Sequence, residues 1–238
     1  MKRERLLSET FVELADTLVA DFDVVEFVHV LADRCVDLTD VDAAGIMLAD
    51  ASGTLHVIGS SSERIHVLEL LEIQTAEGPC LEAFDSGGLV YADLHATELW
   101  PTVRPAAVES GFGSVMALPM RLRSESIGAL NLFRTSRADP DPADVAVCRA
   151  LADVATIALV QERSLRESRA MADQLQSALN TRIVVEQAKG VLAERAQVDV
   201  NLAFTLLRSY ARKNNLLLGD VARAVVEGRV AAKDFDRA

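Results

Sequence analysis

From Asp144 to Asn180 the chain contains neither Gly nor Pro, so this stretch reads as one continuous helix. Within it Leu151, Ala158, Leu165, Ala172 and Leu179 recur every seven residues, the spacing that holds a seam on one side of a helix and pairs it with another in a coiled coil. The companion positions are Val154, Gln161, Ser168 and Leu175. Polar residues interrupt the seam and its alanines bury little area, which makes the pairing marginal by itself and suits an element with two states. The expected dimer seam is Leu151, Ala158, Leu165, Ala172, Leu175 and Leu179. A single exposed linker helix is the alternative.

The long helix separates two regions of opposite charge. The whole chain carries a net charge of -12, which speaks against a polyanionic partner because nucleic acid is held by basic surfaces that release its counterions. The excess acid lies upstream: residues 1–180 hold 14 Lys and Arg against 29 Asp and Glu. Residues 181–230 hold 8 against 5, a net +3, and the last eight residues are neutral. A basic end on an acidic body implies two tasks.

Several function classes lose support on the same reading. Three cysteines far apart (Cys35, Cys80, Cys148) and four histidines without metal-ligand spacing argue against a disulfide scaffold, a zinc site or any metal cofactor. No Ser-His-Asp, paired-carboxylate or phosphate-loop pattern marks a catalytic site, so no catalytic residue is expected and the chain reads as a non-enzyme. The start of the chain is broken by Glu4, Glu9 and Glu13, and there is no run of about 18 apolar residues. The expectation is a soluble, cytoplasmic protein without signal peptide or membrane span.

Upstream of the long helix, Leu7, Phe11, Leu14 and Leu18 predict an amphipathic helix over 5–19, and Val24, Phe27, Val28, Leu31, Cys35 and Leu38 a second one behind Asp23 as N-cap. AAGIMLAD and TLHVIGS read as strands of a hairpin turning at Ala51-Ser52-Gly53. A helical stretch from Glu63 to Gln74 leads through EGPCLEAF to the strand LVYADL and a short helix in ELWPTVRPAAVESG. SVMALPMRL and SIGALNLFR then flank Arg123-Ser124-Glu125 as a second hairpin. Hairpins rather than regular crossovers predict an α+β domain, an antiparallel sheet layered with helices. Downstream, one helix to about Ala196, a second behind Asp199 and a third from Leu218 predict an all-α three-helix bundle.

Those downstream residues carry a resemblance. VVEQAKGVLAER, AFTLLRSYARKNN and DVARAVV resemble the ANTAR family of antiterminator RNA-binding domains. EGPCLEAF, YADL, Trp100-Pro101, GFGSVMALPMRL and IGALNLFR resemble the GAF sensor domains often fused to them in actinobacteria. The resemblance implies a sensor over 1–143, a coiled-coil connector over 144–180, an RNA-binding domain over 181–230 and a tail over 231–238. It further implies a dimer that binds two RNA hairpins, keeps a terminator from forming and answers to an unidentified small molecule.

On this view Arg182, Gln187 and Lys189 of the first bundle helix and Arg208, Arg212, Lys213 and Asn214 of the second are the RNA-binding candidates, a basic and polar set suited to exposed loop bases. Plain solvated helix faces are the alternative for each charge. Tyr210, in phase with Leu207, suits the core better than base stacking. Cys80, Tyr91, Trp100, Phe112 and Met116 are candidate pocket liners, with plain core packing as their alternative. Gly78-Pro79 before Cys80 suggests a helix start that acidifies the thiol, against the ordinary reading of a buried structural cysteine. The competing function is a signalling protein whose terminal helices bind a protein rather than RNA. A reader of double-stranded DNA would call for more positive charge.

Overall fold

The computed structural model describes residues 2–16, 22–123, 125–231 and 234–235, and the chain divides into two compact units, Met1–Ser164 and Leu165–Ala238. Leu18 of the expected first helix and Ser124 of the second hairpin turn lie outside the described residues, as do parts of the expected tail.

The first unit is built on α1 (Lys2–Asp16), α2 (Val24–Leu38), β1 (Ala43–Ala49), β2 (Leu55–Ser60), α3 (Glu63–Thr75), α4 (Pro79–Ser86), β3 (Val90–Asp93), α5 (Val103–Glu109), β4 (Ser114–Leu122) and β5 (Glu125–Arg134). The strands form one sheet in the order β2-β1-β5-β4-β3, antiparallel throughout. Both predicted hairpins are present. Asp23 caps α2, its carboxylate accepting from the Val25 and Glu26 amides at 2.7 and 3.2 Å.

Alternation along the strands sorts the core into two layers. Ala44, Ile46, Met116, Leu118, Leu130 and Leu132 face α2 and the start of the long helix α6 (Pro142–Ala196). Ala43, Met47, Val115, Ala117, Ala129 and Phe133 face α3, α4 and α5. The sheet is therefore covered on both sides, the α+β layering expected from the hairpins.

In the second unit the end of α6, α7 (Val200–Lys213) and α8 (Leu218–Val226) surround Val185, Ala188, Leu192, Ala203, Leu207, Ala211, Val221, Ala222 and Val225. Asp199 caps α7, accepting from the Asn201 and Leu202 amides at 2.8 and 3.1 Å. Phe235, in the stretch read as a tail, is buried in this core and meets the Tyr210 ring at 4.8 Å between centroids.

Candidate functional site

α7 presents two rows of side chains, because residues four apart stand above one another on a helix. Ala203, Leu207 and Ala211 are buried. The next row is Phe204, half-buried, followed by Arg208 and Arg212, both exposed. Lys189 of α6 lies over Phe204 with its Nζ 5.5 Å from the ring centroid and donates to Glu186 at 2.8 Å. The row thus starts under one cation and ends in the last turn of α7, where Lys213 and Asn214 are exposed too. Arg212 and Lys213 in that turn also suit the negative end of the helix dipole.

The seven RNA-binding candidates do not have equal freedom. Arg182 and Gln187 are exposed on α6. Lys189 is only 17% exposed, held by Glu186 and Phe204, and Asn214 donates its side-chain amide to the Tyr210 carbonyl at 2.9 Å, closing the end of α7. Sequence reading missed the neighbours of Asn214: Asn215 takes a left-handed backbone, φ 53°, after which Leu216 and Leu217 stand exposed beside the basic turn. The Asn-Asn pair at a helix end was the available signal.

The seam residues divide in two. Leu151 and Ala158 are fully buried in the first unit's own core with Ala152, Ala155 and Leu159, so they are spent on folding rather than offered to a partner helix. From Arg163 to Ile183 every residue of α6 is exposed, including Leu165, Ala172, Leu175 and Leu179.

The five expected pocket liners do not share one cavity. Tyr91 and Met116 are register partners on β3 and β4 and pack in the α2 and α6 layer. Cys80, Trp100 and Phe112 are buried in the α3–α5 layer. The sheet stands between the two groups, because adjacent positions on a strand point to opposite faces.

What the α3 layer holds instead is a pair of buried acids. Ile65, Leu68, Glu69 and Glu72 form the inner face of α3, while Val67 and Leu70 of the same helix are exposed. Glu72 accepts from the Cys80 amide at 3.1 Å and from the Asn131 side-chain amide at 2.8 Å. Neither Glu69 oxygen, nor the Asn131 side-chain oxygen, has a hydrogen-bond partner among the described residues. Room for the carboxyls comes from two glycines: a Cβ at Gly45 would overlap Glu69, and one at Gly78 would overlap Glu72. Burial pushes the Glu72 carboxyl up to about 8, and burial beside Glu72 raises Glu69 well above the usual range. Burial, then Glu72 and Glu69, also raise the Cys80 thiol, in line with the ordinary reading of a buried cysteine at that helix start. Among the described residues no group of three or more His, Cys, Asp and Glu is placed to hold a metal ion.

A GAF domain model matches residues 23–160 and an ANTAR domain model residues 173–226. The chain belongs to the GAF domain family and carries an ANTAR domain. The GAF domain of a phosphoenolpyruvate-protein phosphotransferase from Coxiella burnetii aligns with a TM-score of 0.54 at 13% identity, over 69% of this chain and 96% of that one. A GAF domain/HD domain protein from Geobacter sulfurreducens aligns at 0.50 and 20% identity, over 61% and 97%. At such identities the likeness shows the fold alone. A search of curated proteins found no match.

The GAF match takes in the sheet, the buried acid pair and the first turns of α6, and the ANTAR match takes in the Phe204, Arg208, Arg212 row. A sensor domain is thus joined, along one helix, to a domain of an RNA-binding antitermination family. Among the described residues no helix is long and apolar enough to cross a membrane.

Proposed function

We propose that this protein is a signal-responsive transcription antiterminator, a regulator rather than an enzyme, that binds paired RNA hairpins as a homodimer under control of its GAF domain. The observation that carries the reading is the exposed Arg208 and Arg212 row, ending in Lys213, on the ANTAR domain of an otherwise acidic chain. Arginine forks bind phosphate oxygens and stack on unpaired bases, the two demands of an RNA loop. Arg182 and Gln187 extend the surface on α6. Lys189 and Asn214, already engaged within the bundle, hold it in shape.

Dimerisation rests on the stretch of α6 exposed on all sides. A helix that leaves Leu165, Leu175 and Leu179 in water gains by burying them against a second copy. Two ANTAR domains side by side then meet two hairpins at once, and the second contact is strengthened about 100-fold by effective concentration. A small molecule bound by the GAF domain would gate this pairing.

The test is RNA binding by anisotropy, with a two-hairpin leader RNA, a scrambled control and a range of salt. Wild type is expected to prefer paired hairpins. Arg208→Glu with Arg212→Glu should weaken binding roughly 10- to 100-fold and flatten the salt dependence by about 0.7 log units per lost phosphate contact. Leu165→Asp with Leu175→Asp should halve the mass by light scattering, and an unchanged mass would remove the seam. A folded dimer without hairpin preference would instead favour a protein partner for the terminal helices.

A further inference from the structure

We propose that the GAF domain carries a site for a small organic anion, a carboxylate or phosphate on a short apolar body, in a recess between the edge of its sheet and α6. The recess opens where β3 stops. Val90 pairs with Ala117, and from Leu118 onward that edge of β4 has no strand beside it among the described residues. The space is about 300 Å³, the small end of the range for ligand pockets. None of the residues read from the sequence as pocket liners borders it.

Arg121 of β4 is held at this recess by backbone carbonyls. Its Nε and Nη2 donate to the Arg123 carbonyl at 3.2 and 2.7 Å, and its Nη1 donates to the Gly87 carbonyl at 3.2 Å. Both residues that supply those carbonyls have left-handed backbones, φ 58° at Arg123 and 65° at Gly87, a conformation unfavourable for any residue but glycine. A Cβ at Gly87 would also come within 2.8 Å of the Arg121 Nη1. The carbonyls fix the guanidinium without neutralising it. Of its five N–H donors three are engaged, which leaves one on each terminal nitrogen, the kind of pair from which a carboxylate or phosphate accepts.

The second cation comes from α6. Arg149 borders the same recess, is exposed, and has no hydrogen bond or ion pair among the described residues. Arg3, Arg34, Arg134 and Arg137 of this unit are each paired with a carboxylate instead. Asp153 stands one turn after Arg149 at the rim and does not pair with it, so two cations face one anion there, in a region otherwise rich in acid. Two guanidiniums at one recess repel each other unless an anion lies between them. Leu118 and Ala152, both buried, and the solvent-open Leu89 give the recess an apolar lining. The arginines therefore select an anionic head, and the lining accepts a short chain. An anion held by both bridges β4 and α6. Its binding does not depend on what the ANTAR domain contacts.

The full chain is titrated by calorimetry in chloride buffer of constant ionic strength with straight-chain monocarboxylates from acetate to hexanoate, with butyl phosphate, with butanol and with inorganic phosphate. Saturable binding of one acid per chain is expected, tightening about two- to fourfold for each added methylene until the recess is full. Comparison of butyl phosphate with pentanoate identifies the preferred head group, and butanol should not bind. Arg149→Gln should weaken the acids about 10-fold, and Leu89→Ala should reduce the gain per methylene. Arg5→Gln, which does not border the recess, should change neither. Absence of saturable binding by folded wild type would overturn the proposal. So would acids and inorganic phosphate binding alike whatever the chain length, or an equal loss in Arg149→Gln and Arg5→Gln.

Discussion

The two units treat ionisable groups in opposite ways. In the GAF domain Glu69, Glu72, Arg134 and Asp144 are buried, along with all three cysteines. In the C-terminal unit every buried residue among those described is apolar, and its charges are on or near the surface. The first arrangement couples folding to protons, because a charge kept from water costs several kcal/mol unless it is neutralised or paired. The second leaves stability to packing and frees surface arginines for an anionic partner.

The largest expected effect comes from the acid pair. Folded Glu72 keeps its proton to about 8, whereas an unfolded glutamate loses it near about 4.3. The folded state binds the extra proton across that window, so stability is greatest at the acid end and drains away as pH rises toward 8. Each tenfold change in proton affinity is worth about 1.4 kcal/mol, which makes the loss for Glu72 at most about 5 kcal/mol. Urea unfolding of the GAF transition from about pH 5 to about pH 9 should show this decline, and Glu72→Gln should flatten it. Stability rising with pH across the window would erase the contrast between the two interiors.

Packing supplies the next effect. Phe235→Ala empties a fully buried site against Tyr210 in the C-terminal core and should cost about 3 kcal/mol, read as lost hydrogen-exchange protection of α7. That loss should not depend on pH, which sharpens the comparison. The smallest effect is at the cap: Asp199→Ala removes the acceptor for the Asn201 and Leu202 amides and should cost about 1 kcal/mol, seen as a lower thermal midpoint of the C-terminal unit.

Legibility followed the clarity of local pattern. α2 and α7 begin behind Asp23 and Asp199, where their sequences signal a cap followed by a one-sided apolar stripe. α3 was not legible in phase. Apolar residues stand on several sides of it, at Ile65, Val67, Leu68, Leu70, Leu71 and Ile73, so its sequence is equally compatible with burying Val67 and exposing Glu69. Gly45, Gly78, Cys80 and Asn131, each from another element, decide the phase by giving the carboxyls space and donors. The seven-residue repeat in α6 had the converse problem. It is a true periodicity, but Leu151 and Ala158 serve the sheet while Leu165 and Leu179 remain exposed, and a repeat by itself does not say what covers it.

The sequence by itself determined the order of elements, the antiparallel hairpins, the three-helix end and the basic surface on α7, because each depends on residues within a few turns or strands of one another. Only the tertiary structure decided which side of the sheet each candidate pocket residue faces, that two glutamates lie in the core and that Phe235 completes the terminal bundle. Those outcomes depend on surfaces brought together from distant parts of the chain. Burial energy is a property of the pair in contact, and neither partner carries it alone.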